Sequence, residues 1–123
     1  MSKEQNKKIK ALKTKADKIW KQKVREKYGN LCTVCGKTAQ DPHHCFPKGS
    51  FSNLRFDILN GVPLCRSCHM GIHYRSDPTI LITIINKRGM DWYRALEKRS
   101  KEPSKSWKSA EYYKEIIEQL ENL

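Results

Sequence analysis

Two sets of metal-ligand residues lie close together in this chain. Cys32-Thr33-Val34-Cys35 and Cys65-Arg66-Ser67-Cys68 are two CxxC pairs, His43-His44 lies between them, and His69 and His73 follow the second pair. Thiolates are the soft ligands that zinc favours, and four of them in a tetrahedron close the shell and leave no reactive position. A CxxC turn brings two sulfurs onto one ion with its peptide amides facing them. The expectation is a structural Zn2+ on Cys32, Cys35, Cys65 and Cys68. The 29 residues between the pairs exceed what a minimal zinc ribbon needs, so the staple displays the enclosed segment. A redox CxxC belongs near a βαβ pattern, and none is visible.

The histidines describe a second, open site. On an extended strand His43 and His44 point to opposite sides and should not both grip one ion. His69 and His73 are four apart and share a helical face. With His43 they make a three-histidine set with open positions, the form a catalytic divalent ion needs. His44 is then free as a general base, because an imidazole with a pKa near about 6.5 can take a proton from water at neutral pH. Two bland readings stand beside this one: His73 as a solvated helix residue, and His69 as the fourth zinc ligand in place of Cys68. Asp41 either orients an imidazole or caps the turn before Pro42, with the turn role favoured. Cys45, the odd cysteine, reads as a small buried hydrophobe.

The charge points to a polyanion. The chain of 123 residues carries a net +12, and residues 1–28 hold eleven Lys and Arg against three acids. That is the footprint of a nucleic-acid binder with a basic arm, although surface lysines also serve solubility. No apolar run is long enough for a membrane span, and the lysine-rich start lacks the apolar core of a signal peptide. The expectation is a cytoplasmic protein, where paired CxxC motifs mean metal rather than disulfide.

The elements that must position these residues are short or helical. Ile9, Leu12, Ala16, Ile19, Trp20 and Val24 recur at helical spacing across residues 3–28, and Gly29-Asn30 ends that helix. Its first eight residues are polar enough to fray until DNA arrives. Gly and Pro punctuate 31–65, so only short strands fit: one within 41–46 and one near 62–64, followed by a helix from about Arg66 through Tyr74. Residues 78–88 have the Ile and Thr content of a strand, but Asp77-Pro78 and Gly89 frame a helix of about three turns, and helix is the reading taken. A helix over 90–100, a polar linker over 101–108 and a last helix over 109–121 complete the chain. Tyr112, Tyr113, Ile116, Ile117 and Leu120 stripe the last helix and could serve a dimer.

The chain resembles the HNH endonuclease family in Cys32-x2-Cys35, His43-His44, Asn60 and Cys65-x2-Cys68-His69. The resemblance covers residues 32–73 and implies an α+β ββα-metal (HNH, His-Me finger) core. It implies His44 as base, His43, His69 and His73 as metal ligands, and Asn60 as the residue holding the loop and hairpin. The His-His and His-x3-His form is similar to the colicin nuclease variant, although many members carry an acid where this chain has His43. A narrower resemblance, through Asn53-Leu54-Arg55-Phe56-Asp57, Asn60, Asn86-Lys87-Arg88-Gly89 and the tyrosines of the last helix, is to the lambda NinG/Rap recombination proteins, which act on branched DNA. It also implies a phage origin.

The organisation expected is a basic N-terminal helix (1–30), a zinc-stapled nuclease core (31–76) and a C-terminal helical extension (77–123). The function expected is DNA phosphodiester hydrolysis with one catalytic Mg2+, Mn2+, Ni2+ or Zn2+ and no organic cofactor. The alternatives are a branched-DNA recombination protein and a non-catalytic zinc DNA-binding module. Lys48, Arg55, Arg66 and Arg75 flank the site as candidate phosphate contacts. Phe46, Phe51, Phe56, Trp20 and Trp92 read as core rather than as base-stacking platforms.

Overall fold

The computed structural model describes residues 2–104 and 108–123. The order is α1 (Lys3–Tyr28), β1 (Pro42–His44), β2 (Gly61–Pro63), α2 (Arg66–Arg75), α3 (Pro78–Arg88), α4 (Met90–Ser100) and α5 (Ala110–Glu121). The class is α+β, mostly helical, with one two-stranded antiparallel sheet. Residues 105–107 of the expected polar linker lie outside the described residues. No described helix is long and apolar enough to cross a membrane.

Local chemistry explains each helix boundary. Ser2 and Gln5 form a reciprocal capping box, so α1 is helical from Lys3 rather than frayed over its first turns. Gly29 at φ 86 ends α1 in a conformation that a residue with a Cβ resists. The Asp77 carboxylate accepts from the Thr79 amide, Pro78 pre-sets the first turn, and together they make 78–88 a helix despite its β-branched content. Ser109 caps α5 through the Tyr112 amide.

Two apolar clusters hold these elements. In the first, Ala16, Trp20 and Val24 of α1 meet Tyr113, Ile117 and Leu120 of α5, with Phe56 from the loop between the strands. The buried part of the last helix's apolar stripe therefore packs on α1. In the second, Val62, Leu64, Ile80 and Ile84 pack with Cys32 and Cys65. Close backbone approach joins the layers. A Cβ on Gly61 would strike Val24 and crowd Trp20, and one on Gly71 would strike Ile80.

The strands pair as Pro42↔Pro63, His43↔Val62 and His44↔Gly61. Three residues per strand is too little for a hairpin to stand alone, so the long connection between the strands is pinned by side chains. Fully buried Asn60 accepts from the Phe46 amide at 2.7 Å and donates to the Phe46 and Leu54 carbonyls at 3.0 and 3.1 Å. The indoles of Trp20 and Trp92 donate to the Asp57 and Leu59 carbonyls, and Arg99 clasps the Asp57 carboxylate. Arg88 donates to the Gly61 carbonyl at 2.7 Å and lies over the Tyr28 ring, tying α3 to the end of α1.

Truncating Asn60 to Ala strands the Phe46 amide and carbonyl and leaves the Leu54 carbonyl with the Asp57 amide as its remaining donor. The expected loss is about 3 kcal/mol of unfolding free energy in urea titration. An unchanged midpoint would mean that the loop is held elsewhere.

Candidate functional site

The four cysteines of the CxxC pairs converge, their sulfurs all within 4.8 Å of one another. Cys35 and Cys65 are 3.5 Å apart. A tetrahedral zinc with Zn–S bonds of about 2.3 Å needs sulfurs about 3.8 Å apart, so the set fits one zinc. His69 is not needed as a fourth ligand, because Cys68 is in the group. The local fold prepares the thiolates. Cys65 caps α2, its sulfur accepting from the Cys68 amide. Burial raises the Cys32 thiol, but peptide N–H groups at Cys35, Cys65 and Val34 outweigh it and hold it at about 6. Cys68 is pushed up by burial and by the sulfurs around it. Four sulfurs so placed could hold one divalent cation. Cys45 stays apart from the cage, half-buried, with burial raising its thiol to about 11.

The histidines form the second group. One ring nitrogen from each of His43, His69 and His73 lies within 4.8 Å of the others. Strand β1 supplies buried His43, and α2 supplies His69 and exposed His73 one turn apart. Ring centroids are 4.8 Å apart for His43–His69, 5.1 Å for His43–His73 and 4.6 Å for His69–His73. Burial, then the neighbouring His69, His73 and His44, hold His43 down to about 3. Burial and His73 lower His69 as well. Neutral imidazoles are what a metal ion requires.

His44 turns to the other face of β1. Its ring stacks on Trp20 at 4.1 Å between centroids and 6° between planes, and its Nε2 bonds the Arg55 carbonyl at 3.0 Å. A carbonyl only accepts, so in the neutral ring Nε2 carries the proton and Nδ1 keeps its lone pair. Burial, with Lys48 and Arg55 assisting against the carbonyl bond, holds His44 down to about 4. Both His44 and the three clustered histidines line one cavity of about 300 Å³, with Lys21, Asp41 and Lys48 also on its wall.

The candidate phosphate contacts fare differently. Lys48 lines that cavity and Arg66 lines the adjoining one. Arg75 is exposed but folds back onto the Ser67 carbonyl at 3.1 Å. Arg55 is held by Asp17 through two hydrogen bonds of 2.8 and 3.1 Å, and its part in the site is the carbonyl that fixes His44. Asp41 neither orients an imidazole nor caps a turn. Its carboxylate bridges Lys21 at 3.3 Å and Arg25 at 2.9 Å. Trp20 reads from sequence as core and is core, but its stacking on His44 has no sequence signal beyond an aromatic on the apolar face of α1. Comparison with family models, with curated proteins and with solved structures finds no match.

Two outcomes are expected. Cobalt added to the reduced protein should give the intense thiolate charge-transfer and tetrahedral visible bands of a four-sulfur site, and Cys65→Ser should weaken both. Absence of these bands would exclude the cage. The second concerns acid. His43 and His44 have folded pKa values below the ordinary value of about 6.5, so the unfolded chain binds more protons below that pH. Stability should be full above about pH 6.5 and fall as pH drops towards 4. A urea series should show this, with a shallower fall in His44→Gln.

Proposed function

We propose that this chain is a zinc-stapled HNH-type endonuclease with a ββα-metal core, hydrolysing DNA phosphodiesters. The observation that carries the reading is the convergence of His43, His69 and His73 in one cavity with an unligated, oriented His44. The β1–β2–α2 order, with a cysteine pair on each side of the two strands and a pinning Asn60, supports it further.

His43, His69 and His73 would hold one exchangeable divalent cation, Mg2+, Mn2+, Ni2+ or Zn2+. Bound there, it would offset negative charge on the scissile phosphate and the leaving 3′ oxygen. The remaining work falls to protein groups. His44 removes the proton from an attacking water through Nδ1, the new oxygen–phosphorus bond forms, and the bond to the 3′ oxygen breaks. The Arg55 carbonyl stabilises the resulting imidazolium through Nε2–H, and the Trp20 stack keeps the ring from swinging. A His44 pKa near 4 makes a weak base but leaves it unprotonated at neutral pH. An arriving phosphate adds negative charge that raises it towards the working range. Lys48 supplies positive charge on the cavity wall, and α1 adds a basic flank that draws in a polyanion.

The test is supercoiled plasmid incubated with the protein and each cation in turn, beside His44→Ala. Cutting by the wild type and a loss of about 100-fold or more in the variant are expected for a general base. Equal cutting by both, or none in any ion, overturns the reading. DNA binding without cutting leaves a zinc DNA-binding module, and preference for junctions over linear duplex favours a recombination-type substrate.

A further inference from the structure

A second cavity, of about 430 Å³, shares His69 and His73 with the first and takes no part in the hydrolysis described. Its other walls are Gln40, Arg66, Met70 and Tyr74. Helix α2 sets Arg66, Met70 and Tyr74 four residues apart, so they form one row beside the row of His69 and His73. Tyr74 is 80% exposed and Met70 38%. Among the large apolar side chains described, Tyr74 is the most exposed, whereas Trp20, Phe56 and Tyr113 are buried. Leaving such a ring in water forgoes the burial that aromatics usually supply, so its place beside the histidines calls for an occupant. Among the described residues its ring neighbour is His73, at 6.3 Å between centroids.

The wall chemistry selects that occupant. An open π face and a thioether accept a flat apolar ring. A guanidinium accepts a phosphate, and the Gln40 amide offers both a donor and an acceptor to a base edge. The chain's +12 charge disfavours a basic partner. The geometry points to this cavity as a subsite for one unpaired nucleotide of a DNA strand, its base stacked on Tyr74 and Met70 and its phosphate held by Arg66. A base in duplex has both faces covered by its neighbours, so the subsite selects a strand that is single or locally opened beside the cleavage point. The inference rests on the nuclease reading only for its substrate being DNA and for the shared histidines marking the cleavage point.

The test uses binding alone, on a zinc-loaded His44→Ala background, with a short single-stranded oligonucleotide carrying 2-aminopurine and a second one of abasic sites. The background protein should quench 2-aminopurine and bind the intact strand roughly 10-fold or more tightly than the abasic one, the size of one base–aromatic stack. Adding Tyr74→Ala should abolish the quenching and the preference while leaving abasic binding unchanged. Tyr74→Phe should keep both, and Arg66→Ala should weaken both strands alike. Preference and quenching that survive Tyr74→Ala overturn the subsite. No step requires cutting, so a failed plasmid assay with a Tyr74-dependent base preference removes the hydrolase and keeps the subsite, and the reverse result does the opposite.

Discussion

Trp20 sits where α1, α5 and the strand pair meet. Its side chain is almost wholly buried, its indole N–H holds the Asp57 carbonyl, and its flat face carries the His44 ring. Three consequences follow from that one placement. The α1–α5 core is filled by a large apolar body. The connection between the strands is fixed at the turn before β2. The imidazole at the end of β1 is confined to one plane. The basic helix is therefore more than an appended arm: Val24 and Trp20 press against Gly61, and the short sheet leans on them. A three-residue ladder has too few hydrogen bonds to hold its own register, and a register slip of one residue would exchange the faces of His43 and His44. The basic helix therefore also protects the register that puts His43 with His69 and His73 and His44 against Trp20.

A strongly positive chain that gathers groups suited to cations needs an electrostatic explanation. Desolvation supplies half of it, since it disfavours the charged imidazolium and keeps His43 and His44 neutral at physiological pH. The cysteine cage supplies the other half. Four thiolates around one divalent zinc carry a net charge of −2, set among basic residues. The lysines of α1 act at longer range, where salt screens them over about 8 Å. Asp41 limits them at the cavity rim by engaging both Lys21 and Arg25.

Helix positions and the two ligand sets were legible because they depend on local rules. Caps at Asp77 and Ser109, glycine stops at 29 and 89, and the CxxC and His-x3-His spacings can each be read without knowing the fold, whereas the capping box at Ser2 escaped notice under the charged start of the helix. The reading of 78–88 shows which rule prevails: Asp-Pro and Gly framing outweighed β-branched composition. What stayed hidden depends on long-range geometry. Asp41 lies far in sequence from Lys21 and Arg25, and its turn-forming position before Pro42 hid the ion pairs. The Arg55–Asp17 and Arg88–Gly61 contacts span 38 and 27 residues. An amphipathic stripe does not say whether its partner is another chain or its own first helix, and here Tyr113, Ile117 and Leu120 meet the first helix.

The two ligand sets are mechanically one object, because α2 belongs to both. Cys65 and Cys68 occupy its start, and His69 and His73 follow without a spacer. Any shift of the sulfur cage moves the helix bearing two of the three histidines relative to β1, which bears the third. Structural zinc sites bind with free energies on the order of 10 kcal/mol, comparable to the whole stability of a small domain. An ion of that strength can hold α2 against β1 whether or not the histidine site is filled. The three histidines do not carry that holding task, and an ion bound there could come and go without loosening the fold. A four-sulfur group that could fill a zinc shell thus sits directly beside an imidazole group that could not, and the adjacency of Cys68 and His69 is what couples them.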